Sequence, residues 1–505
     1  MLSLVQSDAF PPAPDHFNMA AYVLAHADQK GDKVALRILE AAGGSDSFDY
    51  RSLKTAVLGT ATGLLSLVKP GERVILQLGN TPEFPIAFLG AIAAGIVPVS
   101  LSSALSEREY RDVVNTIQPA LEMRSAGAAQ PPRSALPFDA LRRFWTLPPS
   151  DFAYGDPNRP AYIIYTSGTS GRPTPVVHAH RAIWARRMMW EGWYGLREDD
   201  RMMHAGAFNW TYTLGTGLLD PWSIGATALI PSQDVTPDQL PVLMERSKAT
   251  LFAAAPGVYR KLLRAKIPSL PDLRHGLSAG EKLSVKDCNN WHEKTGIPIY
   301  EAFGMSECST FISASPEQPA PDGAAGFVQP GRTVALLGHD GPVPRGGVGR
   351  IAIHKDDPGL MLGYYNQPQE TSARYQGDWF ETGDLATMDD RGAVTYAGRA
   401  DDMMNAGGFR VSPIEVEDAL SAYPSVSEAA ACAVQVRTGV FLIAGFYVAA
   451  DVIEEEELRR FVAARLATYK MPRLLIARDT LPRGANNKLL RKKLRDEWET
   501  EYGQA

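Results

Sequence analysis

The sequence predicts an α/β protein of two unequal domains: a large N-terminal domain of parallel-type α/β subdomains plus a small β subdomain, then a small α+β C-terminal domain. Three observations carry this. Between residues 47 and 280, short apolar β-rich runs alternate with helix-like stretches, which is the rhythm of βαβ units on a parallel sheet. Beyond Ala324 glycines and prolines crowd short β segments, and beyond Arg399 the pattern changes to that of a separate compact unit. A chain of 505 residues also exceeds a single hydrophobic core.

In chain order, residues 47–53 read as a strand running into a helix start, and Pro70-Gly71 as a turn before a buried strand over 72–78. Residues 87–94 are small and apolar, as suits a helix packed on a sheet, and 95–100 return as a strand. Residues 119–158, rich in Ala, Pro, Ser and Arg, read as a tolerant surface connection without chemistry. That connection leads into a short buried strand over 161–165. Strands over 226–230 and 249–254 then alternate with helices over 240–246 and 257–265, and 349–353 is a β segment of the small subdomain. Helices over 412–422, 454–466 and 489–498 belong to the C-terminal unit. The acidic run from Glu454 to Glu457 suits a helix N-terminus, and the basic run over 491–495 reads as a solvated helix face.

Composition narrows the function classes. With 45% hydrophobic and 21% charged residues the chain is globular, and a net charge of −6 leaves no electrostatic footprint for nucleic acid or an anionic membrane. Cys288, Cys308 and Cys432 have no metal-ligand spacing and make no disulfide framework, which fits a reducing cytoplasm. No stretch approaches about 18 uninterrupted apolar residues and the first residues lack a basic-then-apolar leader, so neither export nor membrane spanning is expected.

The chemistry centres on Thr166-Ser167-Gly168-Thr169-Ser170-Gly171, which begins where the 161–165 strand ends. Glycines let backbone N–H groups close on an anion, and the hydroxyls donate further hydrogen bonds to phosphate oxygens. The spacing is not that of a Walker loop, since two residues separate Gly168 from Gly171 and no Lys-Ser/Thr pair follows. Alone, the loop fits a Ser/Gly surface turn about as well. Four stretches accompany it in order: Tyr300-Glu301-Ala302-Phe303-Gly304-Met305-Ser306-Glu307, Thr382-Gly383-Asp384, Gly398-Arg399-Ala400-Asp401-Asp402, and Pro482-Arg483-Gly484-Ala485-Asn486-Asn487-Lys488. Together they resemble the signature of the adenylate-forming superfamily, which includes acyl-CoA synthetases, aryl-CoA ligases such as benzoate-CoA ligase, peptide-synthetase adenylation domains and luciferases.

That resemblance implies an N-terminal domain over 1–398 that binds ATP and the acid, a hinge over 399–402 and a mobile C-terminal domain over 403–505. It implies two half-reactions: a carboxylic acid (aromatic, alicyclic or medium-chain) attacks the α-phosphate of ATP and releases pyrophosphate, and the CoA thiol then displaces AMP. Thr166 to Gly171 would hold the β- and γ-phosphates, with Arg172 nearby and Thr174 standing where many members have lysine. Glu307 would contact Mg²⁺, and Ser306, in place of the common Thr, would reach the α-phosphate or the ligand carboxylate. Phe303 replaces the usual adenine-stacking Tyr, while Gly304 and the backbone of Gly280 and Glu281 would line the adenine and acyl pockets. Asp384 would take both ribose hydroxyls, assisted by Arg399.

By the same resemblance Lys488 is the catalytic lysine of adenylation, Asp401 the hinge, and Gly407, Gly408 and Phe409 the loop presented for the CoA step. Asn487 replaces the usual Gly, and Asn405 sits where some relatives carry Lys. Trp210, Tyr212 and Met305 would form the acyl pocket, which lacks the Trp that restricts acetate-type enzymes. Partners are then a small-molecule carboxylic acid, ATP and CoA, with no nucleic acid and no membrane; a homodimer is left open. Two alternatives stay open beside the ligase, a stand-alone adenylating enzyme that loads a carrier protein and a nucleotide-binding relative without turnover. A serine hydrolase is disfavoured because no G-x-S-x-G elbow surrounds Ser167 or Ser170.

Overall fold

The protein is described by a computed structural model covering residues 1–8, 10–125, 135–166, 174–406, 409–437, 440–484 and 489–502. Its largest sheet has nine strands, with parallel strands Val34–Leu39, Thr227–Pro231, Arg201–His204, Leu251–Ala254, His275–Ala279 and Ile299–Met305 side by side. Antiparallel edges close it, Ser45–Asp49 at one side and Ser309–Ser313 with Phe327–Val328 at the other. A seven-stranded sheet runs Gly363–Tyr364, Thr174–Ala179, Pro160–Thr166, Val97–Ser100, Arg73–Gln77, Leu121–Arg124 and Ala135–Leu136.

Between the two sheets lie helices Tyr50–Leu65 and Glu83–Ala93, the second buried along its whole length. Val74, Leu76 and Ile164 of one sheet and Leu36, Ile38, Ala228 and Ile230 of the other share their apolar cluster. A helix that is apolar on every side is stable only when covered on every side. The sequence therefore commits Glu83–Ala93 to the interior, and Asp49 starts its neighbour by accepting from the Ser52 N–H.

Residues 119–158 correct the expectation of a mere surface connection. Strand Leu121–Arg124 joins the seven-stranded sheet beside Arg73–Gln77, and helix Phe138–Phe144 packs on Tyr50–Leu65. Two helix glycines make that contact possible: a Cβ at Gly59 would lie 2.4 Å from the Phe144 carbonyl oxygen, and one at Gly63 2.2 Å from the Phe144 ring. Arg124 is buried because Gln77 accepts from its Nε and the Tyr110 ring covers its guanidinium.

The expected β subdomain is an antiparallel sheet of Val334–Leu337, Gly349–His354, Trp379–Met388, Tyr375–Gln376 and Val394–Arg399, to which the start of the chain adds strand Leu4–Val5. In the C-terminal unit, strands Val426–Arg437, Val440–Ala449 and Leu474–Ala477 form one sheet with a core on each face. Helices Pro413–Ser421 and Glu455–Ala463 cover one face, and Arg491–Tyr502 covers the other with Leu494 and Trp498. The acidic run does open a helix, whereas Arg491 departs from the solvated face expected of it. Its guanidinium is largely covered, makes two hydrogen bonds of 2.7 Å to Glu417 and lies 3.5 Å from Asp402.

Candidate active site

A cleft of about 1100 Å³ opens between the large domain and the C-terminal unit, and most of the sequence-selected residues that are described line it. At one end, strands Trp379–Met388 and Val394–Arg399 pair so that Asp384 faces Arg399 across the ladder. The Arg399 guanidinium lies 3.6 Å from the Asp384 carboxylate, and the Tyr396 hydroxyl donates to Asp384 at 3.1 Å. Burial, and then Asp384, hold the Tyr396 phenol well above its usual range, so it remains a donor. The Tyr396 ring lies 5.6 Å from the Phe303 ring at 31°, which gives an aromatic face beside a carboxylate. Asp401 lies 3.5 Å from Arg399.

The central wall is the hairpin of Ile299–Met305 and Ser309–Ser313, with Ser306, Glu307 and Cys308 at its turn. Its register shifts at Phe303 and Gly304, and a Cβ on Gly304 would lie 2.3 Å from the Ser309 carbonyl oxygen, so a glycine is needed there. Glu307 is 8% exposed, and one carboxylate oxygen accepts from the Tyr364 hydroxyl at 2.8 Å. The Ser306 carbonyl sits 2.7 Å from His178 Nε2. Burial pushes that imidazole down to about 4, so it is neutral and its Nε2–H donates to Ser306. Thr166 ends strand Pro160–Thr166 at the same cleft, opposite Thr174. Glu301, inside the selected motif, is pushed up to about 8, chiefly by burial and against the pull of Lys282.

The third region is apolar and aromatic. Trp210 and Tyr212 meet edge to face at 5.1 Å, and Met305, Ala279 and Ala302 complete the wall. Gly280 has φ +96°, and a Cβ there would lie 2.6 Å from the Trp210 ring. The Glu281 carboxylate points elsewhere. It accepts from the Leu489 N–H at 3.0 Å and lies 3.8 Å from both Arg260 and Arg483, so its side chain joins the two domains. Lys282 with Asp418, and Lys286 with the Val426 carbonyl, add to the same junction.

Ser167, Gly168, Thr169, Ser170, Gly171, Arg172, Gly407, Gly408 and Lys488 lie outside the described residues, as does the side chain of Phe409. The residues on either side of the Lys488 segment, Gly484 and Leu489, line the cleft.

Residues 23–365 match the AMP-binding enzyme family, and 415–488 match the AMP-binding enzyme C-terminal domain. The chain belongs to the AMP-binding enzyme family. Benzoate–CoA ligase of Thauera aromatica is 28% identical, with 98% of this chain and 99% of that one covered. The 4-hydroxybenzoate–CoA/benzoate–CoA ligase of Rhodopseudomonas palustris is 30% identical over 92% of this chain and 93% of its own. Among solved structures, a benzoate CoA ligase from Burkholderia xenovorans superposes with a TM-score of 0.85 at 29% identity, covering 95% of this chain and all of that one. An anthranilate CoA ligase in complex with anthranoyl-AMP reaches a TM-score of 0.87 at 24% identity, over 96% and 98%, and supports the fold.

Within this family member, the motifs pointed to Phe303, Glu307 and Asp384 but not to their partners. Tyr364, Tyr396 and His178 come from separate strands and carry no local pattern; only the sheet pairing brings them in. Arg186 and Asp220, buried behind the acyl wall, also lacked a signal.

Proposed function

We propose that the protein is an ATP-dependent acid–CoA ligase that activates an aromatic, alicyclic or medium-chain carboxylic acid as its acyl-adenylate and transfers the acyl group to CoA. One observation carries this reading: a single cleft joins the Phe303–Tyr396–Asp384–Arg399 end, the Glu307 and Ser306 turn, and the Trp210–Tyr212–Met305 wall. A carboxylate is a poor electrophile, and adenylation turns one of its oxygens into part of a leaving group. Positioning the acid beside the α-phosphate and stabilising the charge that shifts there are the protein's tasks.

Phe303 and Tyr396 take adenine and Asp384 the ribose hydroxyls. Thr166 to Gly171 hold the outer phosphates, and Trp210, Tyr212 and Met305 hold the acyl group. Glu307 keeps one carboxylate oxygen on Tyr364 and would help hold Mg²⁺ brought by ATP, which would neutralise phosphate charge; one carboxylate with phosphate oxygens and water is a usual magnesium arrangement. Gly484 and Leu489 at the cleft support Lys488 as the residue that reaches the reacting oxygens, with residues 399–402 as the hinge and Gly407, Gly408 and Phe409 presented for the thioester step. The relatives are CoA ligases, which favours CoA over a carrier protein as acceptor. Three free cysteines support a cytoplasmic location, and among the described residues no helix is long and apolar enough to cross a membrane.

The test is pyrophosphate release with MgATP across aromatic, alicyclic and straight-chain acids, with and without CoA, following AMP and thioester in parallel. Acid-dependent release completed by CoA is expected. ATP binding without release for any acid would sink the reading.

A further inference from the structure

The acyl wall has a polar backing that a plain hydrocarbon ring does not need. Arg186 and Asp220 are 6% and 0% exposed and pair through two hydrogen bonds, Nε to Oδ1 at 2.8 Å and Nη2 to Oδ2 at 2.5 Å. The remaining Arg186 nitrogen, Nη1, donates to the Ser309 hydroxyl oxygen, and Ser309 lines the cleft. A Cβ at Gly215 would lie 2.1 Å from the Arg186 guanidinium carbon, so this side chain occupies a slot that only a glycine leaves open. Gly215 itself sits in a π-helical turn, Thr213–Leu219, a feature common at functional sites.

We propose, on the ligase reading above, that the acid is aromatic and carries a neutral oxygen substituent, held by a hydrogen bond from the Ser309 hydroxyl. Among the hydroxyls bonded to the Arg186–Asp220 pair, an account of the protons singles out Ser309. Tyr194 donates its proton to Asp220 at 2.8 Å, so Thr216, 2.9 Å from Tyr194, donates to the phenol oxygen and has no proton left over. Ser309 accepts from Arg186, and among the described residues its own O–H has only the Met189 thioether, a weak acceptor, at 3.9 Å. That leaves a donor, polarised by a guanidinium, on a residue that lines the cleft. Ser309 also has φ +68°, a conformation that costs a residue with a side chain on the order of 1–3 kcal/mol. The chain keeps a hydroxyl there although a glycine would remove the strain.

Charge selects among acceptors. Asp220 already neutralises Arg186, and Thr211, Tyr212, Thr216, Met305 and Thr310, which line the cleft with Ser309, carry no charge. A second carboxylate would be desolvated without a counter-charge, whereas a phenolic or ether oxygen would not.

The experiment compares kcat/KM for benzoate, the 3- and 4-methylbenzoates, the 3- and 4-hydroxybenzoates and the matching dicarboxylates, for the wild type and for Ser309→Gly, which removes the hydroxyl while easing the backbone. One hydroxybenzoate should exceed its methyl counterpart at least about tenfold, the effect of a hydrogen bond to a polarised donor, and the dicarboxylates should be poorest. In Ser309→Gly the hydroxy-to-methyl ratio should collapse. Turnover with no such preference, a preferred dicarboxylate, or a ratio unchanged by the substitution overturns this inference alone. Silence with every one of these aromatic acids overturns this inference; only silence that extends to alicyclic and straight-chain acids overturns the ligase reading with it.

Discussion

At Gly280 two constraints meet: a φ of +96° and a Trp210 ring that leaves no room for a Cβ. Gly280→Ala brings a backbone cost of about 1–2 kcal/mol and also displaces the ring that walls the acyl pocket. Its kcat/KM for the acid should fall at least about tenfold, while ATP affinity, read by titration calorimetry, changes less; equal losses for both ligands would contradict the assignment of Trp210 to the acyl side. At the other end of the cleft, Tyr396→Phe keeps the ring beside Phe303 and deletes the hydrogen bond to Asp384. One such bond is worth about 0.5–1.5 kcal/mol, so KM for ATP should rise by roughly two- to tenfold. A larger rise is expected for Asp384→Ala, and an unchanged KM in both would remove Asp384 from the nucleotide site. Asp384 was legible because Thr-Gly-Asp is a compact local pattern. Tyr396 was not, since only the strand register sets its hydroxyl against that carboxylate.

Among the elements, the strands and helices with clean apolar rhythm were legible, from Arg73–Gln77 to the C-terminal helices. Leu121–Arg124 and Phe138–Phe144 were not, because their stability comes from partners far away in sequence: Gln77 for Arg124, and the glycine seats of Tyr50–Leu65 for Phe144. Leu4–Val5 is too short to announce itself as a strand and forms only because Val334–Leu337 offers it an edge. The junction at Glu281 belongs to the same kind. Its place after Ser-Ala-Gly suggested a pocket-lining turn, yet the carboxylate holds the Leu489 N–H, one residue beyond Lys488. Glu281→Ala should therefore slow pyrophosphate release several-fold while thioester formation from supplied acyl-AMP proceeds at the wild-type rate. Equal slowing of both steps would mean that Glu281 only supports the fold.

For the whole molecule, four histidines in the large domain govern the acid limit. Burial pushes His178 and His275 down to about 4, and His180 and His204 to about 3. The unfolded chain binds protons near the ordinary histidine value of about 6.5 and the folded chain does not, so stability is full above that value. It is lost as pH falls toward 4, at up to about 1.4 kcal/mol per pH unit for each histidine. The calorimetric Tm should drop steadily between pH 7 and pH 5, and His178→Gln should flatten that slope; a Tm constant over this range would show that these imidazoles are not held neutral. The site as a whole was legible as an ordered set of motifs, but its closure by the C-terminal unit rests on scattered charge pairs such as Lys282 with Asp418 and Arg483 with Glu281. Most of these pairs are partly exposed and individually weak, which supports the proposal that the unit moves. Movement about 399–402 would let one cleft host two reactions in turn. Lys488→Ala should then lower the rate of acyl-adenylate formation by at least about a hundredfold, as loss of a charge that acts at the transition state does, and leave CoA attack on supplied acyl-AMP near the wild-type rate. Single-turnover measurements of each half-reaction decide it: if both fall together, Lys488 serves both steps in one arrangement and the proposed alternation is wrong.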